Sequence, residues 1–188
     1  MNSTPLQRIT DRFEIQDCLA IYATAVDRGD WDRVRSTYHP DAIDQHGDYR
    51  GGIDGLIDWL DKRFAGVDNS MHFLGNCLIE FASADLAFVE TYFASRRLRP
   101  PTAAEQASLA PGDMLCREAW GRYLDHFERR DGAWKVARRE VVLETAYTSV
   151  ALGGQRPAAS RSSWGRRDGT DPARSSRAEL FARAGKAG

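Results

Sequence analysis

Apolar side chains recur at helical spacing near the start of the chain, at Ile9, Phe13, Leu19, Tyr22, Ala23 and Val26, with Ile15 flanking. This predicts a first helix, with Thr10 and Phe13-Glu14 as its candidate cap chemistry. The pattern stops at Asp27-Arg28-Gly29, where glycine suits a left-handed helix end. Asp30 then offers a cap for a second helix, Trp31 to Tyr38, which His39-Pro40 breaks. Asp41 to His46 reads as a short strand and Gly47 to Gly52 as a turn. Ile53, Leu56, Ile57, Leu60 and Phe64 return to helical spacing.

From residue 70 the period changes to two, which predicts strands at about 71–81, 85–98, 114–129 and 133–147. Asp131-Gly132 is a tight-turn signal between the last two. Residues 99–113, "RPPTAAEQASLAPGD", form a longer loop. Helices followed by antiparallel strands argue for an α+β fold. A curved antiparallel sheet wrapped around the N-terminal helices would leave a cone with an internal pocket.

The 188 residues suit one domain over about 5–150 and a tail over 151–188. At 42% hydrophobic and 10% aromatic, the chain can build a core. The tail carries eight basic and three acidic residues, and the rest carries 18 basic and 24 acidic. Residues 151–170 read as extended loop, and Asp171-Pro172 can start a short helix over 172–184. A net charge of −1 gives no electrostatic case for nucleic acid or a membrane surface. No apolar run reaches the roughly 18–20 residues of a membrane span. The first residues lack an apolar signal-peptide core, so the expected location is cytoplasmic. Three scattered cysteines, Cys18, Cys77 and Cys116, read as free thiols. The four histidines form no HxxxH or HxH pair, so no metal site is expected. No phosphate-binding glycine loop is present, and no cofactor is expected.

The stretch "SMHFLGN", Ser70 to Asn76, sets a histidine at the mouth of an apolar strand. A buried imidazole without a partner is costly. His72 therefore faces water, or something polar waits for it inside.

Three segments, taken in order, resemble the SnoaL-like branch of the NTF2-like superfamily. They are "IYATAVDRGDWD" with "YHPDA" (Ile21 to Asp32, Tyr38 to Ala42), "SMHFLGN", and "ERRDGAWKVARR" (Glu128 to Arg139). The tail segment "RSSWGRRDGTDP" is also similar to tails in some of these proteins. The resemblance covers residues 5–150 and implies the NTF2-like cone. It implies one of several activities: a cofactor-free dehydratase, a dehydrochlorinase or a ketosteroid-type isomerase. Noncatalytic binding domains and oxygenase small subunits share the fold and remain alternatives.

In dehydratase-like members an Asp ending the first helix pairs with a His starting a strand, and the matching residues are Asp27 and His72. Such a carboxylate fixes the imidazole tautomer and makes the free nitrogen a better base. Tyr22 matches a tyrosine one turn earlier, although an ideal helix sets it about 140° from Asp27. The two share a pocket if the helix end unwinds. Arg129 matches an arginine before the late hairpin turn and is the candidate for stabilising a leaving group. A further strand carboxylate of the steroid-dehydratase members is absent, with Ser95 nearest its place. Strand parity adds Asn76, Tyr123 and Asp125 as candidate substrate contacts; Tyr38, His46, Trp59 and Tyr92 are candidate pocket walls. Plain core or surface roles are the alternative for each.

Phe93, Trp120 and Trp134 are expected to pack on the sheet or at a subunit contact. The expected enzyme is a lyase that eliminates water, or water with a one-carbon fragment, from a small apolar, aromatic or polycyclic molecule. A homodimer or homotrimer is expected, since an apolar outer sheet face calls for a covering copy.

Overall fold

The computed structural model describes residues 4–153 and 163–185. Helix α1 spans Pro5–Arg28 and α2 spans Trp31–Ser36. Thr4, not Thr10, caps α1: its hydroxyl accepts from the Gln7 N–H, while Thr10 lies inside the helix and bonds the Leu6 carbonyl. Gly29 ends α1 at φ 66°, the left-handed conformation that glycine adopts without strain. Asp30 accepts from the Arg33 N–H and caps α2. The apolar core contribution of α1 starts at Ile15. Ile15, Leu19, Tyr22, Ala23 and Val26 are buried, whereas Ile9 and Phe13 are 52% and 63% exposed.

Strands β1 (Tyr38–His46) and β2 (Tyr49–Gly51) precede α3 (Ile53–Phe64). Four long strands follow: β3 (Asn69–Phe81), β4 (Leu86–Arg99), β5 (Met114–Arg130) and β6 (Ala133–Ala151). The connection before β5 holds a single helical turn, α4 (Ala103–Gln106), with a Thr102–Glu105 capping box. The order β2-β1-β6-β5-β4-β3 makes one unclosed six-stranded sheet. All pairings are antiparallel except β1 with β6, which runs parallel, so the sheet is mixed. At the β5–β6 hairpin Asp131 and Gly132 both take positive φ, 52° and 80°, the twist-matched two-residue turn.

Three irregularities bend the long strands: Leu74/Cys77 in β3, and Trp120/Gly121 and His126/Phe127 along β5–β6. Bulges of this kind increase local twist, which curls the sheet over α1 and α3. The core lies between these helices and the inner face of the sheet. Phe93 and Trp134 are buried there, and Trp120 is exposed on the outer face, so the three do not share one surface.

Beyond β6, α5 spans Pro172–Ala184 with Asp171 as its cap. Residues 154–162 of the expected loop lie outside the described residues. The segment before α5 docks on α1. Arg167 donates to the Val26 and Asp27 carbonyls at 2.7 and 2.8 Å, which satisfies helix-end acceptors. Arg28 meets Asp171 at 3.2 Å.

Candidate active site

Asp27 sits in the last turn of α1, which stays wound through Arg28. Its carboxylate is 5% exposed and points at the start of β3. Oδ2 accepts the His72 backbone N–H at 2.6 Å, and Oδ1 accepts the Ser70 hydroxyl at 2.7 Å. The same Oδ1 lies 2.7 Å from His72 Nδ1. Burial pushes the Asp27 carboxyl up, but the hydrogen bonds from His72 and Ser70 outweigh it and hold it below its ordinary value. An ionised carboxylate has no proton to give, so Nδ1 carries the hydrogen, and in the neutral imidazole this leaves the lone pair on Nε2.

His72 lines a cavity inside the cone that encloses about 630 Å³ of atom-free space, part of it the open mouth. Tyr22, Val26, Phe93 and Tyr123 line one side, and His46, Trp59, Leu60 and Phe64 belong to the same cavity. Phe93 and Tyr123 stack at 4.5 Å, and the edge of Tyr22 meets Tyr123 at 5.8 Å. Burial pushes the Tyr22 hydroxyl up to about 12, so it is a neutral donor. His46 rests 5.2 Å from Trp59, and its Nδ1 is 3.7 Å from Asp44 Oδ1, neither atom having a hydrogen-bond partner among the described residues.

Behind the tyrosines lies a buried charge. Arg139 is fully buried, donates twice to Asp125 at 2.7 Å, and stacks over Tyr22 and Tyr123 at 4.2 Å. It also donates to the Tyr38 hydroxyl, which donates to Asp44. This network fixes the backs of the aromatic walls.

The structure thus brings Tyr22, His46, Trp59, His72 and Tyr123 to one cavity, with Asp27 held behind His72. Tyr22 and Asp27 need no unwinding of the helix, because Asp27 reaches sideways to β3 while Tyr22 faces the cavity. Tyr38 and Asp125 are buried in the Arg139 network instead of lining the cavity. Arg129 is on the expected face but at the wrong end of its strand. It stands ten residues along β5 from Ala119, the cross-strand neighbour at the level of His72, about 30 Å away. There it pairs with Asp11 at 2.9 Å and Asp85 at 2.8 Å. Asn76 falls on the outer surface, because the bulge between Leu74 and Cys77 reverses the parity that His72 sets. Tyr92 is 45% exposed on the outer face, one residue off the inward Phe93.

Sequence reasoning passed over Ser70, Arg63, Arg97 and Arg117, and set Phe93 at sheet packing or a subunit contact, not at the cavity. Ser70 shares parity with His72 two residues on, which was a usable signal. Arg63 sits in the last turn of α3, and Arg97 and Arg117 near hydrophilic strand ends, where such residues read as solvent-facing.

The chain belongs to the SnoaL-like domain family, whose model matches residues 7–140. It is 30% identical over 142 residues to the uncharacterised protein Rv2910c of Mycobacterium tuberculosis, covering 70% of this chain and 84% of that one. Among solved structures it is similar in fold to a hexachlorocyclohexane dehydrochlorinase of Novosphingobium barchaimii (TM-score 0.64, 22% identity, 82% and 100% of the two chains). A candidate scytalone dehydratase of Novosphingobium aromaticivorans is also similar (TM-score 0.65, 17% identity, 82% and 99%). Among the described residues no helix is long and apolar enough to cross a membrane, and no group of three or more His, Cys, Asp or Glu side chains gathers as for a metal ion.

Proposed function

We propose that the protein is a cofactor-independent lyase that eliminates water from a small aromatic or polycyclic molecule. The observation that carries this reading is the 2.7 Å contact between Asp27 and His72 Nδ1 at the wall of an aromatic-lined cavity. His72 Nε2 takes a proton from carbon, the C–H electrons form the new double bond, and the C–O bond breaks. Tyr22, whose ring lines the cavity and whose neutral hydroxyl is held beside Arg139 and Tyr38, is the donor this scheme assigns to the departing hydroxide. On an aryl-propane diol the same base takes the terminal O–H proton. Formaldehyde then leaves by C–C cleavage, its electrons form the alkene, and hydroxide departs. Arg129 has no part in this scheme. Dehydratase-type and dehydrochlorinase neighbours support the class of reaction.

The test is incubation of purified protein with β-hydroxy aromatic, aryl-propane diol, hydroxysteroid and polyketide compounds, read by mass. A product lighter by water, or by water plus formaldehyde, is expected from wild type and absent from His72→Ala. Undiminished turnover by His72→Ala would refute the mechanism. Tight binding without turnover would leave a ligand-binding domain.

The outward face carries exposed Met71, Phe73, Tyr92 and Trp120, with Phe73 and Trp120 both paired to Ala94. This supports a homodimer or homotrimer through the sheet, checked by light scattering.

A further inference from the structure

The cavity that holds His72 is aromatic on its walls and cationic at one end. Arg97 of β4 and Arg117 of β5 are direct cross-strand partners, and both line the cavity. Arg63 of α3 joins them, and the same three side chains line the recess that adjoins it. Like charges directly opposite on a ladder repel. Most arginines in such positions elsewhere in this chain are answered by a carboxylate, as Arg122 is by Glu90 and Glu144, and Arg99 by Glu105. Arg63, Arg97 and Arg117 have no carboxylate partner among the described residues. Arg63 lies over the Trp59 ring at 4.8 Å and Arg97 over the Phe64 ring at 4.9 Å. Arg167 covers Phe64 at 4.4 Å, adding a fourth positive group nearby. Burial first, and then Arg63, Arg117 and Arg167, press the Arg97 guanidinium down to about 10, which still leaves it charged at neutral pH.

Three guanidinium groups without counter-charges, converging on one cavity, are arranged against folding stability. An anion among them removes the repulsion, and the planar guanidinium fork matches a carboxylate. We propose that this end of the cavity is an anion subsite, and that the molecule presented to His72 is an organic carboxylate with an apolar, aromatic body. The ladder fixes the spacing. His72 pairs with Ser95 and Ser95 with Ala119, and Arg97 and Arg117 stand two residues further along the same strands. That is one pleat repeat, on the order of 7 Å. The two arginines and His72 thus spring from neighbouring levels of one sheet face, a placement that suits an aromatic body with a carboxylate at one end. Phe93 and Tyr123 stack on the other side of the His72 level from the arginines, where they wall the apolar depth of the cavity. Only the assignment of the molecule as a substrate rests on the lyase reading. The anion subsite itself does not.

The experiment is calorimetric titration of the full chain with 2-naphthoate and its neutral isostere 2-naphthamide, at low and high salt. Naphthoate is expected to bind about tenfold or more tightly than the amide, with a preference that shrinks as salt rises. Arg97→Gln and Arg117→Gln are each expected to abolish the preference. Arg63→Gln, on an exposed helix position that tolerates change, reduces it and serves if the strand variants fail to fold. Absence of a preference for naphthoate, whether both probes bind alike or neither binds, overturns the proposal, as does a preference that survives all three substitutions. His72→Ala separates the two readings. Carboxylate preference retained with turnover intact keeps the subsite and removes the lyase. Turnover lost, with acid and amide bound alike, keeps the lyase and removes the subsite.

Discussion

Asp27→Asn tests the link between helix end and imidazole most sharply, because the two side chains have the same shape. The native carboxylate accepts three hydrogen bonds, from the Ser70 hydroxyl, the His72 N–H and His72 Nδ1. An amide has one acceptor and one donor end. The His72 N–H at 2.6 Å needs the acceptor, so the amide oxygen takes the Oδ2 place and the NH₂ takes the Oδ1 place. The NH₂ then faces Ser70 Oγ, which rotates to accept, and His72 Nδ1, which must give up its hydrogen to accept. The proton moves to Nε2, the nitrogen that faces substrate. The variant is expected to fold, since every bond has a partner. It loses the charge assistance, worth about 1.5–3 kcal/mol. A lost general base lowers kcat/KM by about 10² to 10⁴. The direct assay needs no substrate: long-range ¹H–¹⁵N correlation of the imidazole rings reports each tautomer. Wild-type His72 should show Nδ1–H and the variant Nε2–H. An unchanged Nδ1–H tautomer in Asp27→Asn would refute the reasoning.

Asp27 also sets an acid limit. Its carboxyl is held below its ordinary value in the folded chain and returns to about 3.9 on unfolding, so the folded state binds fewer protons. Its contribution is present above about pH 4 and is lost as pH falls through the folded value; urea midpoints against pH should show this limb in wild type and not in Asp27→Asn. Gly121→Ala places a Cβ 2.2 Å from the Val142 carbonyl and 2.9 Å from the Phe93 ring, so chemical denaturation should show a loss of about 1–3 kcal/mol. Arg167→Ala removes the two bonds that close α1 beside Asp27, and a lower thermal midpoint is expected, with a loss of about 1.5–3 kcal/mol. Burial pushes the Cys18 thiol up to about 12, so iodoacetamide at neutral pH should leave Cys18 unmodified until the protein is unfolded, as peptide mass mapping would show.

Local chemistry was legible in the sequence. Gly29 and Asp30 ended one helix and began the next. The apolar spacing from Ile53 to Phe64 gave α3, Asp131-Gly132 gave the hairpin turn, and Asp171-Pro172 gave the start of α5. Each is decided by backbone preference or amphipathic period within a few residues. The pairing of Asp27 with His72 was reached by resemblance, since 45 residues separate the two and no local preference joins them.

What failed was counting along strands. A two-residue hairpin alone sets Asp125 opposite Arg138, yet the irregularity at His126/Phe127 moves Arg139 into that place and buries the charge pair. The bulge after Leu74 likewise turns Asn76 outward. Arg129 kept its face and lost its position, because parity says which side a residue faces and nothing of its level in the cone. The sequence by itself determined the long helices and strands and their order, while β2 and α4 fell in stretches read as turn and loop and β1 began at Tyr38, the residue read as the end of α2. Only the tertiary structure decided which inward side chains share a level, and so which meet His72 and which arginines are left without a carboxylate. Bulges and sheet curvature set that, and they come from packing across strands far apart in the chain.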